Sequence, residues 1–416
     1  MLRISLVTIL LIHAVVLHLA ALYLPVHWDE GWNLCVARTW LEQGHYGCLF
    51  EGQLTTRRMS TGWPAVSSVY AGFALFGVSI FAGRIVICIL ALVAIWILYL
   101  LAKQLYGSTV ALVTMALLLL GAYDTRVHPL LLAAHGNAEL LCCLGIGLGF
   151  LVSVWAAKSN SRFYLISVAL LSGACFGYAM HAKVQSRPFI LVSLLVMVLY
   201  EVRQRRLWHA CSNLFATVIA LLLVAAVPIS LFPIESGQMT YQGAGVVGLA
   251  PILGLNVDLA TRLIVAKYLL VNYWFFLLIP LGIIARYLRH GPAVFSGIDA
   301  RCTAVGMALF SFVALWLTWF VCLSIDFPRY FAPVYFFSSI FGAELLRTVT
   351  GDFSIESIMD RIKAAIELKG NLISHVGFLG ISVLAFITVF VNVRNLSTAI
   401  LLDRDSNRNL LEVIGY

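Results

Sequence analysis

Eleven apolar stretches, almost free of charge at their centres, divide this chain and leave it few choices of fold. They cover roughly residues 4–24, 85–101, 111–121, 140–155, 163–180, 189–200, 214–231, 263–284, 303–323, 331–346 and 373–391. A helix of about 20 apolar residues crosses a bilayer because each backbone N–H and C=O then bonds within the segment. Several stretches are shorter and would borrow flanking residues. Of 416 residues, 62% are hydrophobic and 11% charged, which no soluble globular domain matches. The expected fold is therefore all-α and polytopic, with about eleven transmembrane helices. The first stretch, preceded by Arg3, reads as an uncleaved signal anchor with its N-terminus in the cytoplasm.

A twelfth apolar stretch, residues 64–81, is settled by charge. Cytoplasmic loops carry the excess of Lys and Arg. With eleven spans that side receives Lys103, Lys158 to Arg162, Arg203, Arg205, Arg206, Arg286, Arg289, Arg301, and the segment from Arg347 to Lys369. A twelfth span would put these clusters outside. Residues 64–81 are thus expected as a juxtamembrane helix in the first outer loop, which runs from about 25 to 84. A second long outer loop covers about 232–262. Residues 348–370 carry Ile355, Ile358, Ile362 and Ile366 and are expected to lie along the inner surface. The domain so defined is 1–392, followed by a short outer tail, 393–416.

The formal charge of +8 reflects these basic loops rather than a nucleic-acid partner. Of nine cysteines, seven lie in or beside apolar spans and read as small buried hydrophobes. Cys35 and Cys48 share the first outer loop, where an oxidising compartment would allow a disulfide. No Cys/His spacing suggests zinc, and no metal or cofactor is expected.

Two adjacent carboxylates, Asp29 and Glu30, sit just beyond the first apolar stretch. A carboxylate at the edge of hydrocarbon is costly and marks a functional site. The alternative is an ordinary helix start with Asp29 as N-cap. The residues that follow read as a helix ended by Gly44, with Asp29, Asn33 and Ala37 on one face. Cations are also left outside after the topology rule is met: Arg38, Arg57, Arg58, Arg84, Arg126, Lys183, Arg187, Arg262, Lys267 and Arg329. Some are interfacial side chains whose stems lie along the bilayer. Grouped around an acidic pair, the others suit a phosphate or diphosphate at the membrane surface, and a polyprenyl phosphate is the natural ligand of that kind.

The stretch from Asp29 to Tyr46 resembles the first-loop signature of the GT-C glycosyltransferases. The nearest branch is that of the protein O-mannosyltransferases and the lipid A aminoarabinose transferases. Their pattern is Asp-Glu, about six residues, Ala-Arg, then Gly and an aromatic. Asp29-Glu30, Ala37-Arg38 and Gly44-His45-Tyr46 resemble it. Phe76-Gly77 with Ala82-Gly83-Arg84, Lys183, and Pro328-Arg329-Tyr330-Phe331-Ala332-Pro333 resemble later segments of the family. The likeness runs over about residues 1–345. Asn33 replaces a common aromatic, and Thr61-Gly62-Trp63-Pro64 stands where a Pro-Pro or His-Pro pair is usual.

The resemblance implies an integral membrane glycosyltransferase that takes its sugar from a polyprenyl-phosphate-linked donor. Asp29 would be the base, with an inverted product anomer. Glu30 would be its understudy or orient a neighbour. Arg57, Arg58, Lys183, Arg329 and Tyr330 would hold the donor phosphate, with no metal needed. Glu139 is a possible second acidic site; otherwise it is a helix-start carboxylate favoured by the helix dipole. Asp124 beside Arg126 reads as a local ion pair. The acceptor hydroxyl would belong to a lipid, a glycan or a protein. The implied location is the bacterial inner membrane, with the site facing the periplasm. A flippase of lipid-linked saccharide and a non-catalytic assembly subunit are the competing readings; the clustering of charge at one face disfavours passage through the bundle.

Overall fold

The structure, a computed structural model, describes residues 12, 26, 28–50, 53–55, 62–121, 124, 127–134, 137–231, 258–295, 297, 299–324, 327–354, 356, 357, 359, 360 and 363. At 28, 29, 49, 50, 53–55, 134 and 227–231 only the backbone is described. The expected spans 4–24 and 373–391, Arg57, Arg58, Arg126, the loop 232–257, most of the 348–370 segment and the tail 393–416 lie outside the described residues.

Helix α1, Trp28–Gln43, begins at the acidic pair. It ends where Gly44, at φ 73°, returns its N–H to the Trp40 carbonyl at 3.0 Å. A short antiparallel hairpin follows, β1 Cys48–Phe50 paired with β2 Gln53–Thr55, with Cys48 opposite Thr55. It is an addition to the all-α expectation. A disulfide from Cys35 to Cys48 ties this hairpin to α1, with the two Cα atoms 5.3 Å apart. Alkylation of the folded protein is expected to miss both cysteines until reductant is added. Labelling without reductant would contradict the bridge.

Helix α2, Trp63–Phe76, is 14 residues long. At about 1.5 Å per residue that is well short of the ~30 Å hydrocarbon layer. It stops at Gly77, and Ser79 caps the next helix by accepting the Ala82 N–H at 3.1 Å. That helix, α3 Ile80–Tyr106, is long enough to span. So residues 64–81 comprise a short helix, a break at 77–79 and the first two residues of the span that follows.

The bundle continues with α4 Ser108–Leu120, α5 Pro129–Ala134, α6 Glu139–Ala157, α7 Arg162–Ala182, α8 Ser186–Arg203 and α9 Leu207–Leu231. It closes with α10 Leu259–Asn272, α11 Trp274–His290, α12 Thr303–Cys322 and α13 Ala332–Thr350. Among the described residues, five helices are long and apolar enough to cross a membrane: α3, α6, α7, α9 and α12 with the turn before it. Helices α4, α8 and α13 occupy three more of the expected stretches but are short or carry charged ends.

The single span expected at 263–284 is instead two helices meeting at 89°. Asp258 caps α10 by accepting the Thr261 N–H at 2.9 Å and its hydroxyl at 3.0 Å, and these bonds hold its carboxyl below the ordinary range. The break falls at Tyr273, whose backbone is non-helical at φ −136°. Its buried ring packs on Phe331 at 5.0 Å and Tyr335 at 5.9 Å, while Phe276 lies 4.7 Å from Tyr335. Seating this run of large rings against α13 prevails over helix continuity.

Short connections at Gly107, 158–161, 183–185 and 204–206 make successive helices alternate in direction. The starts of α3, α6, α8 and α13 and the ends of α4, α7 and α12 therefore share one end with α1 and α2. Hydrogen bonds join elements there: Tyr335 donates to the Leu117 and Leu118 carbonyls, and Trp316 Nε1 to the Tyr330 carbonyl at 2.8 Å. Close approach holds α6 and α7 together. A Cβ on Gly145 would lie 2.7 Å from the Cys175 carbonyl, and the Ser153 and Ser172 hydroxyls meet at 3.0 Å. Such contacts, rather than hydrophobicity, drive helix association in lipid. At the other end, Arg206 donates to the Ala157 carbonyl and Arg301 to that of Lys158, completing the last turn of α6.

Candidate active site

Among the described residues, two buried ion pairs lie at the end that carries α1. The first joins Glu30, in the first turn of α1, to Arg84, in the first turns of α3. Arg84 Nε is 2.5 Å from Glu30 Oε1, and Nη2 is 2.8 Å from Oε2. Both residues are 1% exposed. This fork occupies both carboxylate oxygens, an arrangement suited to orientation more than to proton abstraction. It fixes the backbone turn on which Asp29 sits; the Asp29 side chain lies outside the described residues. Asn33 and Ala37, one and two turns on, are both buried.

Arg84→Ala would take this fork away from the buried Glu30 carboxylate, and removing one partner of a buried pair costs about 3–5 kcal/mol. A large drop in melting temperature in detergent is expected, partly recovered in Arg84→Lys, which keeps charge without the fork. An unchanged melting temperature in Arg84→Ala would contradict the pair.

The second cluster gathers four residues singled out from sequence. Glu139 is the first residue of α6, and Lys183 immediately follows α7. Their side chains meet at 2.5 Å, both buried. Arg329, on the 3₁₀ turn Pro328–Phe331 before α13, places Nε 3.7 Å from the same Glu139 oxygen. The Tyr330 ring forms one wall, with Lys183 Nζ 4.5 Å and the Arg329 guanidinium 5.6 Å from its centre. Tyr330 is anchored in turn through its carbonyl by Trp316. Among the described residues, two cations here face one carboxylate. The Arg329 side chain keeps 21% exposure, so the cluster is open to an anion on that side. Glu139 organises the cations and is enclosed by them.

Asn137, not singled out from sequence, belongs here as well: Arg329 Nη1 lies 3.5 Å from its Oδ1. It stands two residues before Glu139, and as an uncharged side chain it carries no comparable mark in the sequence. Arg262 belongs elsewhere. Its guanidinium donates to the carbonyls of Phe320, Val321 and Ser324 and so closes the end of α12. Asp124 accepts from the Tyr268 hydroxyl at 2.9 Å.

The first outer loop is docked beside Lys183. Gly62 N–H reaches the Ala182 carbonyl at 3.4 Å, and a Cβ at Gly62 would fall 1.6 Å from the His181 carbonyl. Only glycine allows that approach. Arg57 and Arg58 precede Gly62 by five and four residues in the sequence.

Comparison with known proteins agrees with this architecture. Residues 68–230 match the family model described as dolichyl-phosphate-mannose-protein mannosyltransferase. ArnT from Cupriavidus metallidurans in the apo state superposes with a TM-score of 0.55 at 16% identity, over 97% of this chain and 76% of that one. ArnT bound to undecaprenyl phosphate gives 0.50 at 15% identity, over 96% and 75%. The archaeal oligosaccharyltransferase AglB from Archaeoglobus fulgidus, in complex with an inhibitory peptide and a dolichol-phosphate, gives 0.54 at 13% identity, over 93% of this chain and 56% of that one. No curated protein sequence matches the chain. The apolar helices and these likenesses together show that the chain is an integral, multi-pass membrane protein with the fold of the GT-C glycosyltransferases.

Proposed function

We propose that this protein is a membrane glycosyltransferase that moves a sugar from a polyprenyl-phosphate-linked donor to an acceptor hydroxyl at the outer face. The Lys183–Glu139–Arg329 cluster carries this reading. It gathers two cations around one buried carboxylate at the end of the bundle that holds the acidic loop, walled by Tyr330 and reaching the surface at Arg329. A lipid phosphate standing at the membrane edge would meet charge-assisted donors there. ArnT bound to undecaprenyl phosphate and AglB with a dolichol-phosphate support a donor of this class.

In the proposed step the Asp29 carboxylate takes the proton of the acceptor hydroxyl. The acceptor oxygen forms a bond to the anomeric carbon as the bond to the phosphate oxygen breaks. Attack opposite the leaving group inverts the anomer. The polyprenyl phosphate leaves with the bonding pair, and Lys183 and Arg329, with Arg57 and Arg58, stabilise its charge. The cations take the part a metal ion would otherwise play. The Cys35–Cys48 bridge supports placing this end on an oxidising side, the periplasmic face of a bacterial inner membrane.

One observation favours a second reading. Transporters use broken helices, and α10 and α11 form one. The break, however, packs against Phe331 and Tyr335 at the start of α13, at the outer end rather than the midplane. The test is transfer of labelled sugar by the purified protein from a panel of polyprenyl-phosphate sugars, with EDTA present and the product anomer determined. Transfer with inversion supports the proposal. Uptake of lipid-linked saccharide across proteoliposomes without transfer would replace it with the transporter.

A further inference from the structure

The opposite end of the bundle holds a groove that the transfer reaction does not use. It lies between the first turns of α7 and α9, two neighbouring helices that run in the same direction. Its volume is about 290 Å³, and Arg162, Leu165, Ile166, Trp208, Cys211 and Phe215 line it, with Ser212 in its floor. Ser212 donates to the Leu165 carbonyl at 3.0 Å, which holds the two helices together beneath the groove. Its walls are apolar and open outward. Trp208 is 55% exposed, and Phe163, next to Arg162 in the chain, is 81% exposed.

The rim is basic. The Arg162 guanidinium stacks on the Trp208 ring at 4.3 Å. Stacking spends the face of the guanidinium and leaves its N–H edge free, the edge that forks a phosphate. Nearby carboxylates are already engaged: Glu201 is 3.3 Å from Arg206, and Asp299 is 2.9 Å from Arg301. Among the described residues no carboxylate pairs with Arg162. Arg203, the last residue of α8, and Arg205, in the connection to α9, are exposed and add to the positive field.

We propose that this groove binds an anionic phospholipid of the cytoplasmic leaflet, its phosphate on Arg162 and part of one acyl chain against Leu165, Ile166 and Phe215. The charge of the rim selects an acidic headgroup, and the apolar walls require an attached chain. Trp208 sits where headgroup meets hydrocarbon, the usual depth of an interfacial indole.

Trp208 reports its own occupant. The full-length protein would be reconstituted into vesicles holding brominated phosphatidylglycerol or brominated phosphatidylcholine at rising mole fraction. The Trp208 signal is the difference between wild type and Trp208→Phe. Quenching by the anionic lipid is expected to reach half its maximum at about one-fifth the mole fraction needed for the zwitterionic one. Arg162→Gln, an exposed change that leaves the fold intact, is expected to abolish that preference. Equal quenching by the two lipids, no quenching by either, or a preference that survives in Arg162→Gln would each overturn the proposal.

Discussion

Exchange of Asp29 for Asn is expected to lower sugar transfer by about 10²–10⁴-fold, the usual contribution of a general base. Donor binding is expected to stay within about twofold of wild type, because the proposed phosphate contacts lie on Lys183 and Arg329. The fold should tolerate the change, since the turn bearing Asp29 is held through Glu30 and Arg84. Initial rates with a labelled donor, together with competition by unlabelled donor, check both halves. Equal turnover in the two proteins would remove Asp29 from the reaction.

The second large effect concerns Lys183. Lys183→Ala strands the Glu139 carboxylate at the buried start of α6, with Arg329 3.7 Å away as its remaining partner. Removing one partner of a buried pair typically costs about 3–5 kcal/mol. A marked loss of folded protein in detergent is therefore expected. The double change Lys183→Met with Glu139→Gln removes both charges and is expected to recover most of the stability without recovering transfer. That split separates the structural part of the pair from its chemical part. Full transfer by the stable double variant would show that Lys183 takes no part in phosphate binding.

Charge made most of the cluster legible in the sequence. In a chain so poor in ionisable groups, Glu139, Lys183 and Arg329 each stood out against apolar neighbours, and their common side followed from counting spans. Pairing was not legible. Glu30 had ten outer cations to choose from, and its partner Arg84 lies 54 residues away. Only the packing of α1 on α2 and α3 selects it. Arg262 looked equally available, yet the carbonyls at the end of α12 claim it. The bend at Tyr273 left no local mark, since no Gly or Pro stands there and Pro280 is carried inside α11 without ending it. Its cause is tertiary, the seating of aromatic rings on α13. The hairpin after α1 was missed for a similar reason. Strands of three residues carry almost no period, and the disulfide that holds them joins cysteines whose spacing alone did not require a bond.

The most direct measurement of the central claim is saturable binding of a polyprenyl phosphate by wild type and by Arg329→Gln, with inorganic phosphate as a competitor. Arg329 is partly exposed and outside the tightest contact of the cluster, so the variant should fold. Hydrogen bonds to charged groups are worth about 1.5–3 kcal/mol, so the account predicts affinity weakened by about 10- to 100-fold with the melting temperature preserved. Equal affinity in the two proteins would contradict the assignment of this cluster to the donor phosphate.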